Sequence, residues 1–579
     1  MKLPKRKKAQ FRFPLLRRRG REDQGEEDGV FVSHGKFPFQ PLTLILPPLQ
    51  GERISSFLKS VAFLIVFLFG LIALSRIGSA AESDGFIQRR HVAANRQRRI
   101  IFNNDGNEPV YFCNAATAGE LLKSRTTPLA GTQVDSIFYC TWSSGFGMFT
   151  HHTKVGQLFN TREEMFAPNR TQEFFEKGID PLRVMIDFAR KNKMEIFWSM
   201  RMNDTHDASA SAYGPVMFRA NKLKQEHPEY LIGSNEKRSK FGHWTAVNYG
   251  MAEVRDLAFK YCEEVCQNYD VDGIELDFFR HPFFFKSSGN DEACTSQERE
   301  QMTALMRRIR AMTEEIGRKR NRPILIAMRI PDSVEYCKFI GLDLERWLAD
   351  GLLDLMIAGG YVNLNPWETS VALGHKYGVK VYPSLDDPRV RDKNSNELRS
   401  SIEAYRGRAA NAWAAGVDGI YLFNFFNPYA AVWRELGDAQ SLKRADKDYF
   451  VSVLGRGGVD VPHDKFQNLP TLNPASPLKL SEKPIEVIIR APEDFPRKVP
   501  HRRITLRLEL KNPPQPKTLQ VSLNKTILKN GKAETNWLQF AVEAKLLQQT
   551  NQIEIVTTGE PALLTDAMLS VRYSKPNED

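Results

Sequence analysis

From Arg98 to about Leu454 the sequence alternates short apolar, β-branched runs with longer amphipathic stretches. This alternation constrains the fold more than any other feature. Strands joined by helical crossovers pair in parallel, and parallel sheets need cover on both faces. The spacing predicts eight strands: Arg99 to Asn103, Asp135 to Cys140, Met194 to Met200, Val271 to Phe278, Ile324 to Arg329, Leu353 to Ala358, Val379 to Leu385 and Val417 to Asn424. Helical periodicity falls between them at Pro181 to Lys191, Ala252 to Asn268, Gln297 to Lys319, Trp367 to Tyr377 and Leu398 to Ala415. Eight strand–helix units in about 350 residues read as an α/β fold, a (β/α)8 TIM barrel with long loops. A doubly wound open sheet is the alternative, but no GxGxxG or Walker-type loop follows a strand. An internal echo agrees with the barrel: VDGIELDFF at Val271 to Phe279 returns as VDGIYLFNFF at Val417 to Phe426. These would be strands four and eight, facing each other.

On either side of the barrel the texture changes. Residues 98–455 form the expected barrel, 456–480 a Pro-rich linker, and 481–574 a small C-terminal β-sandwich. The sandwich is read from short alternating segments such as Ile504 to Leu510 and Trp537 to Val542, with Asn530-Gly531 as a turn. Residues 1–81 read as a basic leader. The apolar run Val61 to Leu74 is followed by Gly78-Ser79-Ala80-Ala81, the pattern of a signal peptide, with an uncleaved membrane anchor as the alternative. Either reading makes the protein secreted, periplasmic or membrane-anchored. The net charge of +12 is concentrated there: residues 1–80 hold 14 basic and 6 acidic side chains, leaving 67 against 63 for the rest. The body therefore carries no nucleic-acid footprint. The six cysteines form neither a metal motif nor a dense disulfide framework, although one or two disulfides fit an exported protein.

The strand Val271 to Phe278 carries the most suggestive chemistry. Side chains alternate along a strand, so Gly273, Glu275 and Asp277 share one face and Ile274, Leu276 and Phe278 the other. Two carboxylates on one face of an apolar strand are costly unless something uses or neutralises them. Catalytic groups of a parallel barrel sit at the carboxyl ends of its strands. Asp277, nearer that end, is the expected catalytic carboxyl, and Glu275, a layer deeper, the expected partner of Arg201 or Arg329. Glycosidic cleavage needs a second carboxyl. Asp386 at strand seven is the first choice, Asp332 and Asp204 the next. Other strand ends supply groups suited to a polyhydroxylated ligand: Trp142, Arg201, Asn203, Asp204, His206, Arg280, His281, Arg329, Tyr361, Asn363 and Asn424. Asp204, His206 and Asp207 could instead hold a cation or bond within their loop. Trp244 reads equally as core or as a stacking platform. No cofactor is expected.

The run AEVRDLAFKYCEEVCQNYDVDGIELDFFRHP, Ala252 to Pro282, resembles the glycosyl-hydrolase-like TIM-barrel family of exported bacterial proteins labelled family 10-like. A PEVR-type helix start followed by a YDVDGIxxD strand carries the likeness. DGIYLFNFF at the eighth strand extends it from Arg98 to about Leu454. The resemblance implies a glycoside hydrolase with its acid at the position of Asp277. Where members often carry two adjacent acids, this chain has Asp277-Phe278. The expected function is carboxylate acid/base hydrolysis of an extracytoplasmic polysaccharide or oligosaccharide. The alternatives are a non-catalytic carbohydrate-binding envelope protein and a metal-dependent lyase or hydrolase.

Overall fold

A computed structural model describes residues 85–573, apart from 361, 387–389, 391, 454–464, 470–471, 475, 498, 512–517 and 559–561. The expected leader and the linker's first residues lie outside the described residues. Among the described residues no helix is long and apolar enough to cross a membrane.

The eight parallel strands of the barrel are β1 (Ile100–Asn104), β2 (Val134–Tyr139), β3 (Glu195–Arg201), β4 (Gly273–Asp277), β5 (Leu325–Ile330), β6 (Leu355–Ala358), β7 (Lys380–Pro383) and β8 (Ile420–Phe423). They hydrogen-bond in the order β8-β1-β2-β3-β4-β5-β6-β7. A parallel bridge between Ser384 and Tyr421 brings β7 back to β8 and closes the ring. The fold is a TIM barrel, as the alternation predicts. Its interior holds Ile101, Phe138, Phe197, Leu325, Leu355, Ile357, Tyr382, Tyr421 and Phe423. At the amino end of the barrel, Arg98 is buried in a bidentate pair with Glu195 at 2.7 and 2.9 Å, with the Ser136 hydroxyl donating to the same carboxylate at 2.7 Å.

The helices α1 (Pro181–Lys191), α2 (Ala252–Asn268), α3 (Ser296–Lys319), α4 (Trp367–Lys376) and α5 (Ile402–Ala414) cover the outside. Local chemistry fixes their starts. Asp180 caps α1 with Pro181 at the first position, and Thr295 with Glu298 forms a capping box on α3. On α3, Met302, Leu305, Met306, Ile309 and Met312 repeat at helical spacing and face the barrel. The helical pattern at Leu398 to Ala415 divides into Lys393–Arg399 and α5, with Ser401 capping the second. All six cysteines are free, buried thiols, so the disulfides allowed by an exported protein are not present. Cys262 and Cys266 pack into the core from α2.

The C-terminal region consists of antiparallel sheets. One runs β9 (Lys447–Phe450), β15 (Leu563–Tyr573), β11 (Arg502–Lys511), β13 (Trp537–Ala541) and Lys532–Glu534. The other runs β10 (Ile485–Arg490), β14 (Thr550–Thr557), β12 (Leu519–Leu523) and Thr526–Ile527. Ile504, Leu506, Leu508 and Leu510 alternate inward along β11 and share one apolar core with Val487, Ile489, Val521 and Ile553 of the second sheet. β9 joins the first sheet ahead of the Pro-rich stretch. It also packs on the barrel: a Cβ on Gly407 of α5 would stand 2.2 Å from the Asp448 carbonyl oxygen.

Candidate active site

The site is built from β4 outward. Register pairs Ser199 with Glu275 and Ala327, and one layer above pairs Arg201 with Asp277 and Arg329. Gly273 makes the layer below, where a Cβ would stand 2.2 Å from the Phe197 ring. The three residues of the inward face thus have three environments: a ring, neutral donors, and arginines.

Glu275 is fully buried. Its carboxyl accepts from Asn103 Nδ2 at 2.9 Å, Ser199 Oγ at 2.5 Å and Tyr421 Oη at 2.6 Å. Burial, and then the Asp277 carboxylate, push it up to about 7. The expected pairing of Glu275 with Arg201 or Arg329 is not what forms, because both guanidiniums stand one layer higher, level with Asp277. The Tyr421 bond crosses the barrel from β8 to β4. It joins the two positions that the internal echo makes equivalent.

Asp277 closes the strand. Its Oδ1 accepts from the backbone N–H groups of Phe279 and Arg280, both at 2.9 Å, an Asx-type turn that leads the chain off the sheet. Arg329 Nη1 donates to the same carboxylate at 3.3 and 3.2 Å, and Nη2 donates to Asp386 Oδ2 at 3.0 Å. The Arg329 guanidinium, fully buried, lies 3.9 Å over the Phe423 ring. Asp386 also accepts from the Ser384 hydroxyl. One guanidinium bridges both carboxylates, which bounds their separation at about 9 Å, the upper end of the range of glycosidase carboxyl pairs. The sequence's first choices for the pair meet across Arg329.

Loops after β1 and β3 add a second polar chain. Arg201 pairs with Asp105 and, at 3.2 Å, with Asp204. Asp204 Oδ2 lies 2.7 Å from His206 Nδ1, and His206 Nε2 meets Arg280 Nη2. Burial works to raise Asp204, but His206, Arg201 and His281 outweigh it and hold the carboxyl well below the usual range. Burial and the Arg280 charge push His206 and His281 below the ordinary imidazole value, against the pull of Asp204. Donor atoms of Asp204, His206 and His281 lie within 4.8 Å of one another. A cation there would have to displace Arg280 from His206 and tolerate Arg201 beside Asp204, so the donor set fits a hydrogen-bonded chain better than a metal. Asp207, the other residue of that loop considered for a cation, pairs with buried Lys224 at 2.7 Å.

Other residues expected at the site have different employment. Asn203 is buried and clamps backbone, donating to the Val247 carbonyl at 2.9 Å and accepting from the Val247 N–H at 2.8 Å. Asp332, the next choice for a second carboxyl, instead accepts from the N–H groups of Leu364 and Asn365 at 2.9 and 3.0 Å. It holds the loop after β6. Asn363 joins that clamp, its amide nitrogen donating to Asp332 at 2.7 Å in the orientation that satisfies both ends. The Trp142 ring stacks on Phe159 at 4.8 Å within an aromatic cluster and is 6% exposed. Trp244 lies against Phe218, rings 4.8 Å apart, and packs on the core. Asn424 follows β8 with φ +51 and bonds Asp105. Tyr361 lies outside the described residues. Asp105, Asn103 and Ser199 join the site without a catalytic motif of their own. Asp105 sits in NNDGN after β1, where strand-end position was the available signal, whereas Ser199 is visible only through register.

A parallel barrel with paired carboxylates at the carboxyl ends of its strands belongs to the architectural class in which barrel enzymes place their chemistry. Residues 112–311 match the model of the glycosyl hydrolase-like 10 family, which bears out the likeness carried by Ala252 to Pro282. A curated relative, glycosyl hydrolase YngK of Bacillus subtilis (strain 168), is 26% identical over 113 residues, 19% of this chain and 19% of its own length. The chain thus aligns with about a fifth of that relative. Among solved structures, a maltogenic alpha-amylase AmyB from Thermotoga neapolitana aligns at TM-score 0.32 and 14% identity over 82% of this chain and 99% of its own. A variant GH36 alpha-galactosidase AgaA from Geobacillus stearothermophilus aligns at TM-score 0.34 and 10% identity, over 80% and 56%. The barrel assignment stands on the strand order itself.

Proposed function

We propose that the protein is an O-glycosyl hydrolase acting on an extracytoplasmic polysaccharide or oligosaccharide, with Asp277 and Asp386 as its carboxyl pair. The observation that carries this reading is the Arg329 bridge between two buried carboxylates at the ends of β4 and β7. Glycosidic cleavage requires one carboxyl to protonate the leaving oxygen and another to attack the anomeric carbon or activate water. Two backbone N–H groups fix Asp277 Oδ1, and Oδ2, which accepts from Arg329, is the oxygen assigned to the sugar. Asp386, across Arg329, is the second carboxyl that the reaction needs, and Arg329 holds the two groups in register. Glu275, enclosed by Asn103, Ser199 and Tyr421, positions the floor beneath Asp277. The match to a glycosyl hydrolase-like family supports the same reading, as does the relative's name. The carbohydrate contacts fall to Asp105, His206, Arg280 and Asn424 around the mouth. The basic leader at residues 1–81 supports export.

A second reading, a carbohydrate-binding barrel without turnover, is favoured by the same bridge, because one cation neutralises both acids. A panel of aryl glycosides and polysaccharides separates the two. Release of reducing ends by the parent and its loss in Asp277→Asn supports the hydrolase. Binding without release in the parent supports the other.

A further inference from the structure

The body of the chain is close to charge balance, yet one cavity is not. Between α5, the 439–447 segment, the 492–502 loop and the end of β15 lies a cavity of about 360 Å³, a size that ligand pockets of roughly 300–1,000 Å³ take. Five basic side chains line it, Lys443, Arg444, Lys447, Arg497 and Arg502, against two acidic ones, Glu493 and Asp494. The two acids offset at most two of the five bases. Glu493 is already held by buried Lys447 at 3.0 Å and by the hydroxyls of Tyr449 and Tyr573 at 2.7 and 2.6 Å. Arg502 is spent on the backbone carbonyls of Asp494, Phe495 and Arg497. Lys443, Arg444 and Arg497 are exposed and make no ion pair among the described residues. The half-buried ring of Trp413, fixed by its N–H to the Leu436 carbonyl at 2.8 Å, supplies an apolar wall. α5 runs from the end of β7 back to the start of β8, so Trp413 in its last turn lies at the end of the barrel opposite Asp277.

We propose that this seam is a second carbohydrate site, specific for an anionic glycan whose carboxylate or sulfate groups face Arg444 and Arg497 while a sugar ring lies on Trp413. The choice of a glycan over other polyanions rests on the hydrolase reading of the barrel. The binding is read without turnover, so an inactive barrel leaves this result standing. The test is fluorescence anisotropy of the full chain with labelled tetragalacturonate, a labelled sulfated tetrasaccharide, neutral maltotetraose and a single-stranded oligonucleotide. One or both acidic sugars bind, the affinity falling with added salt, and maltotetraose does not. The two acidic arms decide between carboxylate and sulfate. Arg444→Gln with Arg497→Gln weakens binding about tenfold, the scale of two exposed charge contacts. The same charge change at Lys525 and Lys532, exposed and outside the cavity lining, leaves it within about twofold. Equal loss in both double variants, no binding of either acidic sugar, or equal binding of the oligonucleotide overturns the proposal.

Discussion

Glu275 is where side-chain chemistry departs furthest from sequence expectation. Parity placed it on the inward face with Asp277 and depth placed it lower, and both hold in the register. Its partners could not be read, because Asn103, Ser199 and Tyr421 come from three other strands whose stagger is set by barrel closure. The consequence is a stability prediction of opposite sign to that of a salt-bridged acid. Burial lifts the folded carboxyl from its ordinary 4.5 to about 7, so between those values the native state keeps a proton the unfolded chain has released. Its favourable contribution is complete below about pH 4.5 and is lost as pH rises toward 7, by about 3 kcal/mol. Glu275→Gln, which is always neutral, removes that slope. In urea titrations at pH 5 and pH 8 the parent loses more stability than the variant. Parallel losses would mean that Glu275 is ionised throughout.

At the scale of elements, the strand and helix order was legible because each unit carries its own signal. α1 and α2 span the predicted residues, and β11 and β13 fall on the predicted Ile504 to Leu510 and Trp537 to Val542. β9 is not legible in the sequence: KDYF at Lys447–Phe450 is too short for periodicity and draws its strand character from pairing with β15. β4 also shows how closely the elements fit. Gly273 is the bottom of the inward face, and Gly273→Ala forces a methyl group into the Phe197 ring. The cost is about 1–3 kcal/mol, read as a lowered urea midpoint, and Phe197→Leu in the same chain recovers part of it. An unchanged midpoint in the single variant would show that the ring can move aside.

The whole molecule depends on the barrel and the sheets packing together. Asp566 on β15 is fully buried and pairs with Arg399, itself 2% exposed, at the end of the helix before α5. Ser395 donates to the same carboxylate at 3.2 Å. Asp566→Leu leaves that guanidinium buried without its counter-charge and lowers stability by about 3–5 kcal/mol, whereas an equivalent change at exposed Glu543 does not. This pairing was beyond the sequence, since 167 residues separate the partners. The Arg329 bridge was partly legible: both its acids could be chosen as strand-end carboxyls, but which arginine joined them could not. That bridge carries the central claim. The measurement that tests it most directly is reducing-end release from a polysaccharide and aryl-glycoside panel by the parent and by Asp277→Asn, with thermal melts of both proteins. The account predicts release by the parent, release lowered at least about 10³-fold in the variant, and melting temperatures that agree. No release by the parent on any substrate, or variant activity close to the parent's, would contradict it.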